Sequence, residues 1–209
     1  MITVPFILKE LCLEVTNSCP MECRHCSSCS MKVGNESCYH MPISKAKSVV
    51  QEFVELGGSI LEISGGEPLT YPFLYELCDY AASLKLDVRL YTSGISSEDG
   101  KVLSGINFSE AETLKLQGVN KVIFNLQGAS STTHQKITGV NGTHKLVLEG
   151  IKNTKAVGLW TGIHFVPMKP NFLELPELAE LCLELGVDEL ALLRFVPQGR
   201  GEKIKPGWN

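Results

Sequence analysis

The sequence predicts an α/β protein built on a curved parallel sheet of six βα units, wound as a partial barrel. Three observations predict it. A β-type run followed by a segment of helical periodicity recurs about every 30 residues, the pattern of βα units joined into one parallel sheet. Gly57, Gly118, Gly158 and Gly186 each fall just beyond a helical segment, where a left-handed residue ends a helix. The polar and glycine-rich motifs all follow strands, at Cys19 to Cys26, Gly65 to Pro68, Thr92 to Gly94, Gln127-Gly128, Pro167 and Pro197. Composition alone does not separate a doubly wound sheet from a partial barrel. The motifs favour the barrel, whose carboxyl-end loops converge on the face where active sites are built.

The six β-type runs are Leu11 to Thr16, Ile60 to Ser64, Asp87 to Thr92, Lys121 to Leu126, Thr161 to Val166 and Glu189 to Val196. Helical periodicity occupies Ser44 to Leu56, Pro72 to Leu84, Ser109 to Leu116, His144 to Ala156 and Leu175 to Leu185. Ser44 is the expected N-cap of the first helix; Lys47 three residues on means there is no capping box. The right-handed crossover rule leaves few ways to join such units.

At 209 residues the chain is within the range in which an α/β barrel forms one unit, and 44% hydrophobic residues supply a substantial core. Nineteen Lys and Arg stand against 23 Asp and Glu, a net charge of −4 without a basic run, so charge suggests neither a nucleic acid nor an anionic membrane as partner. Apolar stretches such as Val122 to Phe124 and Leu190 to Leu193 are strand-sized, too short to span a bilayer, and a soluble protein is expected. Met1 to Leu13 lacks a basic start, apolar run and small-residue cleavage site. Eight cysteines without an export signal read as thiols of a cytoplasmic protein, some of them metal ligands.

Cys19, Cys23 and Cys26 lie in the string CPMECRHC. Four thiolates normally hold a four-iron cluster, so three in one compact loop leave one iron open to a substrate. A structural zinc site wants four ligands, and Cys29, Cys38, His25 and His40 are at hand to complete one. A zinc knuckle, however, has no need of Gly65-Gly66-Glu67-Pro68 after the next strand. Cys12, Cys78 and Cys182 lie in apolar patterns and read as buried small hydrophobes. Cys29 and Cys38 flank the insertion from Ser27 to His40; free thiols, a redox pair and ligands of a second metal are all open, with free thiols the default.

The cysteine triplet and the Gly-Gly-Glu-Pro together resemble the radical S-adenosylmethionine (SAM) superfamily, over roughly Leu8 to Gly201. The resemblance implies a (β/α)6 partial TIM-like barrel holding a [4Fe-4S] cluster on Cys19, Cys23 and Cys26, with SAM on the open iron. Reductive cleavage of SAM would then give a 5'-deoxyadenosyl radical that abstracts a substrate hydrogen. It implies further that His25 borders the adenine, in a place usually held by Tyr or Phe. Gly65, Gly66, Glu67 and Pro68 would face the methionyl ammonium, the glycines allowing close backbone approach. Tyr91-Thr92-Ser93-Gly94 is similar to the family's Thr-Asn-Gly element, so Thr92 and Ser93 are expected at the SAM carboxylate or ribose.

Asn125-Leu126-Gln127-Gly128 is similar to the Ser-Leu-Asp-Gly of peptide-modifying members, with Thr133-His134, Gly139 and Gly142 continuing the match. Asn125 and Gln127 are accordingly placed on the cofactor, although Gln127 stands where a carboxylate is expected and supplies no base. His134 reads as a surface or capping histidine. Arg194-Phe195-Val196-Pro197-Gln198-Gly199-Arg200-Gly201 resembles the strand-six end of SPASM-type and molybdopterin-type members. Phe195 and Val196 would hold the adenine edge; Arg194 would hold SAM or substrate, or form a salt bridge inside the barrel. No catalytic side chain is assigned. The expected partners are a peptide or small-molecule substrate and an electron donor of flavodoxin or ferredoxin type. The chain is expected to divide into a radical SAM core at 1–201 and a polar tail at 202–209, as a minimal enzyme or a truncated one.

Overall fold

A computed structural model describes residues 8–204. Residues 1–7, part of the stretch read for an export signal, and 205–209, most of the expected tail, lie outside the described residues. Six strands form one parallel sheet: β1 (Glu10–Glu14), β2 (Ile60–Ser64), β3 (Asp87–Thr92), β4 (Val119–Asn125), β5 (Trp160–Phe165) and β6 (Glu189–Leu192). Their order in the sheet is their order in the chain. A doubly wound sheet needs a point at which strand order reverses. Here every right-handed crossover steps the same way, which keeps the helices on one face and curls the sheet into a partial barrel.

Of six helices, α1 (Ile43–Glu55), α2 (Leu74–Ser83), α3 (Phe108–Leu116), α5 (Thr143–Ala156) and α6 (Leu175–Glu184) cover the outer face, while α4 (Ser131–Thr138) lies against the cysteine loop, its Thr138 and Ile137 carbonyls accepting from Glu22 N and Arg24 N. Leu13, Leu61, Ile63, Val88, Leu90, Val122, Phe124, Ile163 and Phe165 are buried in one core with Val50, Leu77, Leu114, Val147 and Leu178 from the helices. The alternate positions on the sheet carry polar groups that meet across strands. Tyr91 Oη donates to Glu62 at 2.8 Å, Arg89 faces the same carboxylate at 3.8 Å, and the Tyr91 and His164 rings lie 5.2 Å apart.

Each of the five expected helices is present, with no end moved by more than two residues. The glycines after α1, α3, α5 and α6 have φ values of 86°, 85°, 75° and 66°, as C-cap glycines do. Three expectations are corrected. Pro42, not Ser44, is the N-cap of α1. The sixth strand stops at Leu192, leaving Leu193 to Val196 as an irregular segment over the barrel mouth. Cys12 is exposed rather than buried, because its strand turns it to the polar face opposite Leu13. Helix α4 was not expected: its Ser-Thr-Thr-His-Gln start is polar, and it is set by Ser130, whose hydroxyl accepts from Thr133 N at 3.2 Å.

Candidate active site

The loop after β1 is shaped by its neighbours before it reaches the cysteines. Ser18–Cys19 pairs in parallel with Met31–Lys32, and Thr16 bridges to His40, so the Ser27 to His40 insertion folds back along the cysteine loop. Gly66 N donates to Thr16 O at 2.6 Å and Glu67 N to Ser18 O at 2.8 Å. A Cβ at Gly65, where φ is 137°, would lie 2.3 Å from Thr16 O; one at Gly66 would lie 2.3 Å from Ser18 O. These two glycines therefore let two backbones pass directly beneath the cysteine loop.

The loop opens on a cavity of about 350 Å³ at the carboxyl ends of the strands, within the usual range for small-ligand sites. Its wall includes Cys19, Cys23, His25 and Cys26 from the cysteine loop, Gly65, Gly66, Thr92, Ser93 and Asn125 from the loops and ends of β2, β3 and β4, and Arg194, Phe195 and Val196 from the segment after β6. Ser27, Ser28 and Ser30 bring the insertion into the same wall. Twelve of the fifteen residues expected at the cofactors thus share one cavity.

The other three, Glu67, Pro68 and Gln127, do not line it and hold its frame. Glu67 is fully buried, and its carboxylate accepts from Leu69 N (3.1 Å), Thr92 Oγ1 (2.5 Å), Ser93 N (2.7 Å) and Ser93 Oγ (2.5 Å). Burial pushes its carboxyl above the ordinary value, against the pull of the Ser93, Thr92 and Leu69 donors. Pro68 begins the short 3-10 turn that follows. Gln127 is also fully buried: its Nε2 donates to Asn125 Oδ1 (2.5 Å) and His164 O (3.3 Å), and its Oε1 accepts from Val166 N (3.1 Å). It ties β4 to β5 behind the cavity.

The thiols differ. Burial pushes Cys19 upward and Cys23 up to about 12. Burial acts the same way on Cys26, but hydrogen bonds from the Ser30 amide and the Ser28 and Ser30 hydroxyls, together with Arg200, outweigh it and bring Cys26 below the ordinary thiol value. Among the described residues no three His, Cys, Asp or Glu side chains converge as a single ion requires. A zinc site completed by Cys29, Cys38, His25 or His40 is therefore not formed in this geometry. Cys29 is exposed, and Cys38 Sγ donates to Lys32 O at 3.3 Å, away from the cavity.

A profile of the radical SAM superfamily matches residues 13–191. The chain belongs to the radical SAM superfamily. It is 30% identical over 193 residues to an AdoMet-dependent heme synthase of Methanosarcina barkeri, covering 91% of this chain and 51% of that protein. It is 29% identical over 189 residues to a PqqA peptide cyclase of Streptomyces rochei, covering 90% and 49%. Among solved structures, Streptococcus suis SuiB bound to S-adenosylmethionine shares the fold, with a TM-score of 0.79 at 21% identity, over 98% of this chain and 44% of that one. The chain spans about half the length of the curated relatives it matches. Radical SAM proteins are enzymes that use a [4Fe-4S] cluster and SAM. The donor set fits such a cluster, which takes each thiolate on a different iron and needs no convergence on one point.

Beyond the serines of the insertion, sequence reasoning also gave no role to two charged or titratable side chains of the wall. Arg200 lines the cavity, and so does His164, on the polar face of β5. His134 is corrected from surface to core: it is fully buried, and its Nδ1 accepts from Gln127 N at 3.1 Å. Burial, with His144 and His25 nearby, lowers it from 6.5 to about 3. Below about pH 6.5 the unfolded chain takes up a proton that folded His134 refuses, so stability falls as pH drops toward 3. Urea midpoints measured across that window should fall less steeply for His134→Gln, which keeps an acceptor for Gln127 N. An unchanged slope would contradict the assignment.

No helix among the described residues is long and apolar enough to cross a membrane.

Proposed function

We propose that this chain is the catalytic core of a radical SAM enzyme that modifies a peptide. The observation that carries the reading is the single cavity onto which Cys19, Cys23 and Cys26 open together with the glycine, hydroxyl and strand-six residues. In this reading the three thiolates hold the cluster. Gly65 and Gly66 leave room for the methionyl end of SAM. Thr92, Ser93 and Asn125 offer hydrogen bonds to its carboxylate or ribose. His25, Phe195 and Val196 flank the adenine, and Arg194 offers a planar cation to a carboxylate of SAM or substrate. The bound pair supplies a 5'-deoxyadenosyl radical; the chain's part is to position it and to exclude water.

A peptide substrate is supported by the likeness to the PqqA peptide cyclase and by the shared fold with SuiB, which is also known bound to its precursor peptide SuiA. The similarity to AdoMet-dependent heme synthase supports a second reading, with a small-molecule substrate. Eight free cysteines support a cytoplasmic site, and the reading requires a one-electron donor of flavodoxin or ferredoxin type.

Anaerobic reconstitution tests the cluster. The reading expects a brown protein with about four irons and four sulfides per chain. A colourless protein holding only zinc would sink it.

A further inference from the structure

Arg200 is 170 or more positions from the groups it holds, in the 3-10 turn Gly199–Lys203 that follows β6. Its Nε donates to Cys23 O at 2.9 Å, its Nη1 to Ser30 O at 2.6 Å and its Nη2 to Ser30 Oγ at 3.2 Å. Its own backbone N–H donates to Cys26 O at 2.9 Å. Ser30 Oγ in turn lies 3.6 Å from Cys26 Sγ. The turn can approach this closely because residue 199 is glycine: a Cβ there, at φ 58°, would lie 2.5 Å from Ser27 O and 2.7 Å from Cys26 O.

The guanidinium is partly buried in the cavity wall, and no ion pair among the described residues includes it. Three of its five N–H groups meet carbonyl and hydroxyl oxygens, which do not neutralise its charge. A partly buried cation left without an anion is costly unless one is bound beside it. Three thiolates on a four-iron core supply that anion.

We propose that Arg200, acting with Ser30, is a positioning residue that sets the reduction potential of the cluster and holds the loop from Cys23 to Ser30 in register. This rests on the reading of Cys19, Cys23 and Cys26 as cluster ligands. An oxidised core with two positive charges and three thiolates sums to minus one. One electron from an external donor takes it to minus two, with no proton required. A fixed cation beside it stabilises the reduced state more than the oxidised state, and a hydroxyl directed at a ligand sulfur acts in the same direction. Arg200 and Ser30 therefore make the cluster easier to reduce.

The test is a dithionite potentiometric titration, followed by electron paramagnetic resonance, of reconstituted protein without SAM. Iron and sulfide are counted first. Failure of the wild-type chain to load a cluster defeats the ligand reading; the present proposal is judged on loaded protein. For Arg200→Gln the reduced-to-oxidised ratio at a fixed potential should fall at least about tenfold, a shift of 59 mV to more negative potential for a one-electron couple. Arg200→Lys should recover most of this, and Ser30→Ala should shift the potential the same way by less. If Arg200→Gln loads four irons at the wild-type potential, the proposal is overturned. If Arg200→Gln does not load, Ser30→Ala and Arg200→Lys decide: wild-type potentials in both would overturn it, and a lowered potential in Ser30→Ala would support it.

Discussion

Replacing any one of Cys19, Cys23 or Cys26 by Ala is expected to abolish cluster assembly and all cleavage of SAM, while Cys29→Ala and Cys38→Ala leave the iron content unchanged. The first three thiols line the cavity, and Cys29 and Cys38 do not. Two remaining thiolates cannot hold a four-iron core that ordinarily takes four, and the fourth position has to stay open for SAM. Iron and sulfide analysis with the visible absorption of the cluster checks each variant. Loss of iron on replacing Cys29 would contradict the assignment.

Glu67→Ala is expected to cost on the order of 3–5 kcal/mol of folding stability, since at least two backbone N–H groups and two hydroxyls lose a buried acceptor at roughly 1–3 kcal/mol for each group left unsatisfied. Leu69 N and Ser93 N cannot turn toward water, because the loops after β2 and β3 meet at this carboxylate. The hydroxyls of Thr92 and Ser93 are free to rotate, which keeps the cost below the sum of four groups. Urea unfolding measures it. A change under 1 kcal/mol would mean that Glu67 holds nothing, and would return it to the ligand face where sequence reasoning placed it.

The two predictions use residues that were legible to different degrees. The cysteine triplet stood out because its three thiols fall within eight consecutive residues, close enough for one loop to turn all of them to one cavity. The sheet was readable because outward positions such as Leu61, Ile63, Val88 and Leu90 alternate cleanly against the helices. Roles that depend on what a side chain meets across the sheet were not readable. Glu67 and Gln127 sit inside motifs whose Gly65, Gly66 and Asn125 line the cavity, yet each turns its side chain to neighbouring loops or strands. Cys12 looked apolar from its neighbours, but a parallel strand with helices on one face only leaves every second position on the polar side. Arg200 lay in a quoted motif without a role, because its partners Cys23 and Ser30 are brought to it by the closing of the barrel and by an insertion with no pattern of its own.

What the loaded chain does to SAM is the most direct readout of its chemistry. Reconstituted protein, reduced anaerobically with dithionite and given SAM, should release 5'-deoxyadenosine, slowly in the absence of substrate, and the Cys19→Ala variant should release none. Protein that holds four irons and four sulfides and yet forms no 5'-deoxyadenosine would contradict it.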